Sequence, residues 1–210
     1  MMPHDDLAAI LLVGGRSSRM GRPKPWLDLD GRPLLARMVD GVRRWTADVV
    51  LVAAAGQALP GLAGRAARVV HDVWPDQGPL PALALGLAAA RAPWALVLGC
   101  DAPLVRGAVV DRLLAERAPG CDAVVPEWDG RLQPLVALYR TTLAPAIAEL
   151  ARAGERRLHV ALVGRPGVRR LPAEMLRPLD PEGESFRPVN TPEEFAAAAA
   201  RWRARRKRPG

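Results

Sequence analysis

Residues 7–13 form an unbroken apolar run that passes directly into Gly14-Gly15-Arg16-Ser17-Ser18-Arg19-Met20-Gly21-Arg22-Pro23-Lys24. A short continuous apolar run predicts a strand buried on both faces, as in the middle of a parallel sheet. The glycines predict a tight turn that presents backbone N–H groups to an anion. Arg16, Arg19, Arg22 and Lys24 add positive charge at the same place. Lys24 is one of two lysines in the chain, the other being Lys207. Where arginine otherwise supplies the charge, a lysine here suits a phosphate contact that needs a compact ammonium group. The plain alternative is a solvated basic turn.

Downstream, strands alternate with helices. Gly31-Arg32-Pro33 punctuates the chain, and Pro33 suits a first helical turn. Leu34, Leu35, Met38, Val39 and Val42 then recur at helical spacing through Trp45. Strands are predicted over residues 48–54, 67–71 and 94–99, with a helix opening at Gly78-Pro79 and running to about Ala90. Leu113 and Leu114 lie on a further helix. Residues 122–126 and 133–139 read as strands, residues 142–153 and 157–163 as helices, and residues 168–171 as a short strand. That last strand lies within an irregular Pro/Gly-rich stretch, residues 164–188, which reads as a flap or an edge rather than a domain boundary. Thr191-Pro192-Glu193-Glu194 predicts a helix start with an N-cap threonine, a proline at the first helical position and a capping-box glutamate. The pattern predicts a single α/β domain, Rossmann-like, with a mostly parallel sheet and helices on both faces. In such sheets ligands bind beyond the C-terminal strand ends. The basic loop, His71-Asp72 and Asp101 all fall there.

Composition narrows the function classes. At 210 residues the chain is long enough for one full core. Residues 80–100 are apolar enough to suggest a membrane span, but Pro81, Arg91 and Pro93 make them a buried helix, a turn and a buried strand. The acidic start, Met-Met-Pro-His-Asp-Asp, is unlike a secretory signal. Cys100 and Cys121 make neither a disulfide framework nor a metal cluster. The expected location is the cytoplasm, with no membrane partner. The net charge of +8 is concentrated at the end: Arg201, Arg203, Arg205, Arg206, Lys207 and Arg208 supply six of the positive charges. One Tyr and two Phe provide little for base stacking. Nucleic acid is therefore not an expected partner, and residues 201–210 read as the frayed basic end of a helix, a tail on a domain spanning residues 1–200, with a weak anionic partner as the lesser alternative.

Two carboxylates carry the chemical argument. Asp101 follows the buried run Trp94-Ala95-Leu96-Val97-Leu98-Gly99-Cys100, where a charge needs a compensating partner. A magnesium ion fits, since Mg²⁺ takes one or two carboxylates plus substrate phosphates. The bland alternative is a cap on a helix beginning near Leu104. Asp72 reads either as a nucleotide contact or as a loop cap. The Walker pattern is absent, because Lys24 is not followed by a hydroxyl residue, and so is the dinucleotide fingerprint GxGxxG.

The pattern Gly-Gly-x-x-x-Arg-Met-Gly-x-x-Lys resembles the nucleotidyltransferase signature of the molybdenum cofactor guanylyltransferases, the MobA family. Gly31-Arg32-Pro33-Leu34, Gly78-Pro79-Leu80, Cys100-Asp101-Ala102-Pro103, residues 133–139 (QPLVALY) and residues 189–194 (VNTPEE) resemble further family motifs in the same order. The signature loop marks the wider nucleotidyltransferase group, and the last two motifs point to the molybdopterin branch. The resemblance implies that Leu12, Val13, Gly14 and Gly15 lie against the base and phosphates of GTP. It implies that Arg19 and Lys24 neutralise the triphosphate, that Asp72 contacts the nucleotide, that Asp101 holds Mg²⁺ and that Asn190 lies on the molybdopterin side. The implied reaction is transfer of GMP from GTP to the terminal phosphate of molybdopterin, with pyrophosphate released. The implied recipients of the product are molybdoenzymes or their chaperones, and the implied assembly is a monomer or weak oligomer. Val13 stands for the usual alanine, Ala102 for a methionine and Ala82 for a glycine. The asparagine that the family places after the second strand is missing from Val52-Ala53-Ala54-Ala55. The Gly21-Arg22-Pro23-Lys24 version of the loop also resembles cytidylyl relatives. Transfer of CMP or another NMP to molybdopterin or a small phosphorylated metabolite is therefore the alternative, with a non-catalytic nucleotide-binding module behind it.

Overall fold

The computed structural model describes residues 3–14, 20–61, 67–72, 74 and 77–207. The elements run β1 (Leu7–Leu12), α1 (Leu34–Val42), β2 (Asp48–Ala54), β3 (Arg68–Asp72), α2 (Pro79–Ala89), β4 (Trp94–Gly99), α3 (Gly107–Ala115), β5 (Ala123–Trp128), β6 (Arg131–Leu132), β7 (Val136–Arg140), α4 (Ala144–Arg152), β8 (Val168–Leu171), α5 (Ala173–Leu176) and α6 (Pro192–Lys207).

All strands join one sheet in the order β3-β2-β1-β4-β7-β5-β6, with β8 beside β5. β3, β2, β1 and β4 are mutually parallel, whereas β7 runs antiparallel to both β4 and β5. β1 and β4 are buried at every position, as their unbroken apolar sequences require. Successive side chains leave a strand on opposite faces, so each central strand feeds two cores. Leu7, Ala9 and Leu11 join one with α1, α3, α5 and α6, while Ala8, Ile10 and Leu12 join the other with α2 and α4. α2 is apolar around most of its circumference because it is covered by the sheet on one side and by α4 on the other.

The expected strand at residues 168–171 is present, and it is a parallel sheet edge rather than a flap. One expectation fails. Residues 157–163 do not form a regular helix but a series of turns, with Val160, Ala161 and Leu162 donating three residues back. The segment is too short to offset helix nucleation, contains two β-branched valines and stops at Gly164. Burial of Leu158, Ala161 and Leu162 holds it down without a helix. The basic end is the end of a helix, as the sequence suggests. α6 continues to Lys207 and packs Ala198, Ala199 and Trp202 on the core, so a boundary at residue 200 falls inside one helix. The start of α6 follows its sequence signals: Glu194 N donates to Thr191 Oγ1 at 3.2 Å, and Glu194 Oε2 accepts from Thr191 N at 3.0 Å.

Candidate active site

The order β3-β2-β1-β4 means that the chain leaves β1 in one direction and returns to its other side at β4. The crevice beyond the C-terminal ends of these two strands is where an open α/β sheet binds its ligand. The register aligns Leu12 with Gly99, so Val13-Gly14 and Cys100-Asp101 leave the sheet side by side.

Lys24 follows the loop on a single 3₁₀ turn, Lys24–Trp26, entered through Pro23. Its Nζ donates to Asn190 Oδ1 at 2.8 Å across 166 residues of sequence. Asn190 is held in turn by its own N–H, which donates to Glu194 Oε2 at 2.6 Å. The neighbouring Val189 N donates to the Asp101 carbonyl at 2.8 Å. Residues 189–190 thus join the lysine to the aspartate loop. Both charges also act on the buried Cys100 thiol, which burial pushes up to about 12, with Asp101 adding to the rise and Lys24 opposing it. Two ionic groups far apart in sequence therefore share one neighbourhood.

Asp101 does not cap a helix. α3 begins at Gly107 with Arg106 as N-cap, and no side chain caps it. The Asp101 carboxylate instead lies against Gly99, where a Cβ would collide with its Oδ1 and press on Leu135. Gly99 leaves a niche that keeps the carboxylate beside the β4 end. Among the described residues no cluster of three or more potential metal-ligating side chains occurs. A single protein carboxylate on the crevice is the donor set expected for Mg²⁺ whose other ligands are phosphate oxygens and water, and Asp101 fits it.

The nucleotide-loop residues divide. Gly15 and Arg19, with Arg16, lie outside the described residues. The N–H groups of Val13 and Gly14 do not face an anion: both donate to the Val52 carbonyl, at 2.9 and 3.1 Å. The expected N–H cradle therefore does not include them. Leu12 is likewise engaged, its carbonyl accepting from Cys100 N at 3.0 Å. Gly14 is required for close approach, since a Cβ there would stand 3.2 Å from Ala54 N. Asp72, at the end of the edge strand β3, is not brought to Lys24 and Asp101. It lies two strands from β1, about 10 Å at ordinary strand spacing. Its Oδ1 accepts from Trp74 N at 2.9 Å, which is the loop-capping arrangement.

Two glutamines were not singled out from sequence as site residues. Gln57 Nε2 donates to the Val13 carbonyl at 3.0 Å and its Oε1 accepts from Ala54 N at 2.9 Å. This carboxamide ties the turns after β1 and β2 together. It stands near the place where the family asparagine is missing, a few residues downstream. Its type and its position after a strand were the available signals. Gln133 lines a cavity of about 500 Å³ with Trp128, Asp129, Arg131, Arg177, Phe186, Arg187 and Pro188. The Trp128 and Phe186 rings stack at 5.3 Å, and the Arg177 guanidinium lies 4.7 Å from the Trp128 ring centre. Pro188 adjoins Val189, and Gln133 lies two residues before Leu135, whose carbonyl accepts from Gly99 N at 2.9 Å. The cavity and the Asp101 niche are thus lined by neighbouring segments of the chain.

Comparison with known proteins agrees with this arrangement. The family model described as a MobA-like NTP transferase domain matches residues 9–166. A probable molybdenum cofactor guanylyltransferase of Mycobacterium tuberculosis is 42% identical over 179 residues, covering 82% of this chain and 87% of that protein. One from Chloroflexus aggregans is 34% identical, covering 95% and 97%. Among solved structures, molybdopterin-guanine dinucleotide biosynthesis protein A from Archaeoglobus fulgidus superposes with a TM-score of 0.77 at 27% identity, covering 94% of this chain and 99% of that one. A 2-C-methyl-D-erythritol 4-phosphate cytidylyltransferase from Thermus thermophilus shares the fold, with a TM-score of 0.66 at 23% identity, covering 93% and 98%. A lysine and an aspartate tied through residues 189–190 beyond the ends of β1 and β4 are thus accompanied by similarity along nearly the whole length, and the chain belongs to the MobA-like NTP transferase family.

Proposed function

We propose that this protein transfers GMP from GTP to the terminal phosphate of molybdopterin. The acceptor phosphate oxygen bonds to the α-phosphorus as the bond from the α-phosphorus to the bridging oxygen breaks, and pyrophosphate leaves with the electron pair. The observation that carries the reading is the tie that residues 189–190 make between Lys24, in the segment that follows β1, and Asp101, just beyond the end of β4. The attacking phosphate is already ionised, so positioning and charge neutralisation do the work, without a strong general base.

Lys24, held at Asn190, neutralises the triphosphate on the leaving side, and Arg19 shares that role. Asp101 holds Mg²⁺, which when bound screens the phosphate charge and polarises the reacting phosphoryl group. The nucleoside end lies over the turns after β1 and β2, at Leu12, Val13, Gly14 and Gly15, where Gln57 fixes the backbone, with Asp72 beyond. The body of the acceptor occupies the cavity beside Gln133. Arg131, Arg177 and Arg187 suit its anionic groups there, and the carboxamide of Gln133 suits the donor–acceptor edge of a pterin. With no helix among the described residues long and apolar enough to cross a membrane, both substrates are taken to reach the crevice from water.

Thermal unfolding with each of the four NTPs, with and without Mg²⁺, tests the reading. A Mg²⁺-dependent rise in Tm specific to GTP supports it, and a CTP-specific rise favours the cytidylyl alternative, to which the Gly21-Arg22-Pro23-Lys24 sequence also points. Asp101→Asn is expected to remove transfer activity, by about 10²-fold or more, while leaving the circular dichroism spectrum unchanged. Near-normal turnover in that variant would refute the role given to Asp101.

A further inference from the structure

The cationic end of α6 reaches the Asp101 loop. Arg205 Nη1 donates to the Leu104 carbonyl at 2.9 Å, and its Nε donates to Glu184 Oε2 at 3.0 Å. The same Glu184 oxygen accepts from Arg106 Nη2 at 2.8 Å. Arg106 is also gripped by its backbone, whose N–H donates to Ser185 Oγ at 3.0 Å, and its Nε stands 3.0 Å from Asp180 Oδ1. Asp180 is completely buried and accepts from the N–H groups of Glu184 and Ser185 at 3.1 and 2.7 Å. With Val189 N on the Asp101 carbonyl, the C-terminal segment holds the loop of residues 101–106 at three points: Asp101, Leu104 and Arg106.

Ion pairs on carboxylates as buried as Glu184 and Asp180 are a poor way to add stability, because an apolar plug of equal volume serves as well or better. What guanidinium groups add is direction, since their donors fix both partners in one geometry. The loop so fixed carries the carboxylate on which the proposed chemistry depends. We propose that Arg205, acting through Glu184 and the Leu104 carbonyl, is a positioning residue for Asp101, so that the basic C-terminal helix end serves the active site from behind and is not an arm for an external polyanion. This inference rests on the reading of Asp101 as the metal-binding residue.

The test uses the full-length protein with GTP and Mn²⁺ as a paramagnetic probe, followed by electron paramagnetic resonance, together with kcat and KM for the transfer. Arg205→Met is expected to weaken Mn²⁺ binding in the GTP complex by about tenfold or more, as loss of a group orienting a metal ligand does. It should lower kcat with little change in KM for the acceptor, and Arg205→Lys should recover part of the loss. Arg206→Met, on the same helix end but paired with Asp30 at 3.3 Å, should match the parent. A folded Arg205→Met protein with parental Mn²⁺ affinity and kcat, and only a lowered Tm, overturns the proposal. Should Arg205→Met fail to fold, Glu184→Gln keeps the volume and one acceptor oxygen, and parental Mn²⁺ affinity there overturns it equally. Asp101→Asn separates the two levels. If it leaves Mn²⁺ binding intact, the metal reading and this inference fall together. If it abolishes Mn²⁺ binding while Arg205→Met does not, the inference alone falls.

Discussion

At the scale of single residues, Gly99 shows how a missing side chain sets a reactive one. Its Cα lies so close to the Asp101 carboxylate that any Cβ would displace it, and Leu135 closes the other side. Gly99→Ala is therefore expected to keep the fold and cost about 10²-fold in kcat, the penalty typical of a displacement of about 1 Å. Steady-state kinetics beside an unchanged circular dichroism spectrum would check this. The sequence made Asp101 legible because it is an ionic residue at the end of an apolar run, where charge is costly without a purpose, and Lys24 because it is one of two lysines and closes a basic, glycine-rich loop. Their pairing with residues 189–190 was not legible, since contacts across 88 and 166 residues leave no local pattern. The same holds for the Val13 and Gly14 amides. A glycine-rich loop says that N–H groups turn, and the Val52 carbonyl decides where two of them go.

Among elements, α6 departs most from its sequence reading. Six cations in ten residues suggest a solvated end, yet Arg201 and Arg205 face Glu184, while Arg203 and Arg206 face Asp30. The partners lie far upstream, which is why charge counting along the helix misses them. Burial alone would raise the Glu184 carboxyl, but hydrogen bonds and charge from Arg205 and Arg106 outweigh it and hold the group below its ordinary value of 4.5. Because the native-state value is depressed, the unfolded chain takes up the proton first on acidification. The stabilisation is complete above 4.5 and is lost as pH falls through the lower native value. Urea midpoints measured from neutral pH downward should show the parent losing stability below 4.5 more steeply than Glu184→Gln. Parallel curves would count against this account. Most strands, by contrast, were legible to within a residue or two, although β6 was not expected and the strand expected over residues 133–139 begins only at Val136. Period and composition decide them locally, whereas the turns of residues 157–163 are held by Leu158, Ala161 and Leu162 from the far side of α2 and α4.

Seen whole, the molecule is a parallel half, β3-β2-β1-β4, joined to an antiparallel half, β7-β5-β6, with β8 running parallel to β5 at its edge. The first half carries the crevice expected of its topology, and the second supplies the Gln133 cavity beside it. Alternation of strands and helices made the first half readable. The antiparallel half was not readable as such, because a sequence reveals strands but not their direction. Deleting residues 201–210 removes Trp202 from the core edge and both α6 arginines from Glu184. The expected cost is about 3 kcal/mol, a fall in Tm of about 6–12 °C, measurable by calorimetry. A loss below about 1 °C would return these residues to the status of an appendage. The bond from Lys24 to Asn190 also has a temporal meaning. A nascent polypeptide can stack its first strands early, but its nucleotide crevice stays half-built until translation has nearly ended. Prematurely terminated products should therefore sequester no GTP in the cell.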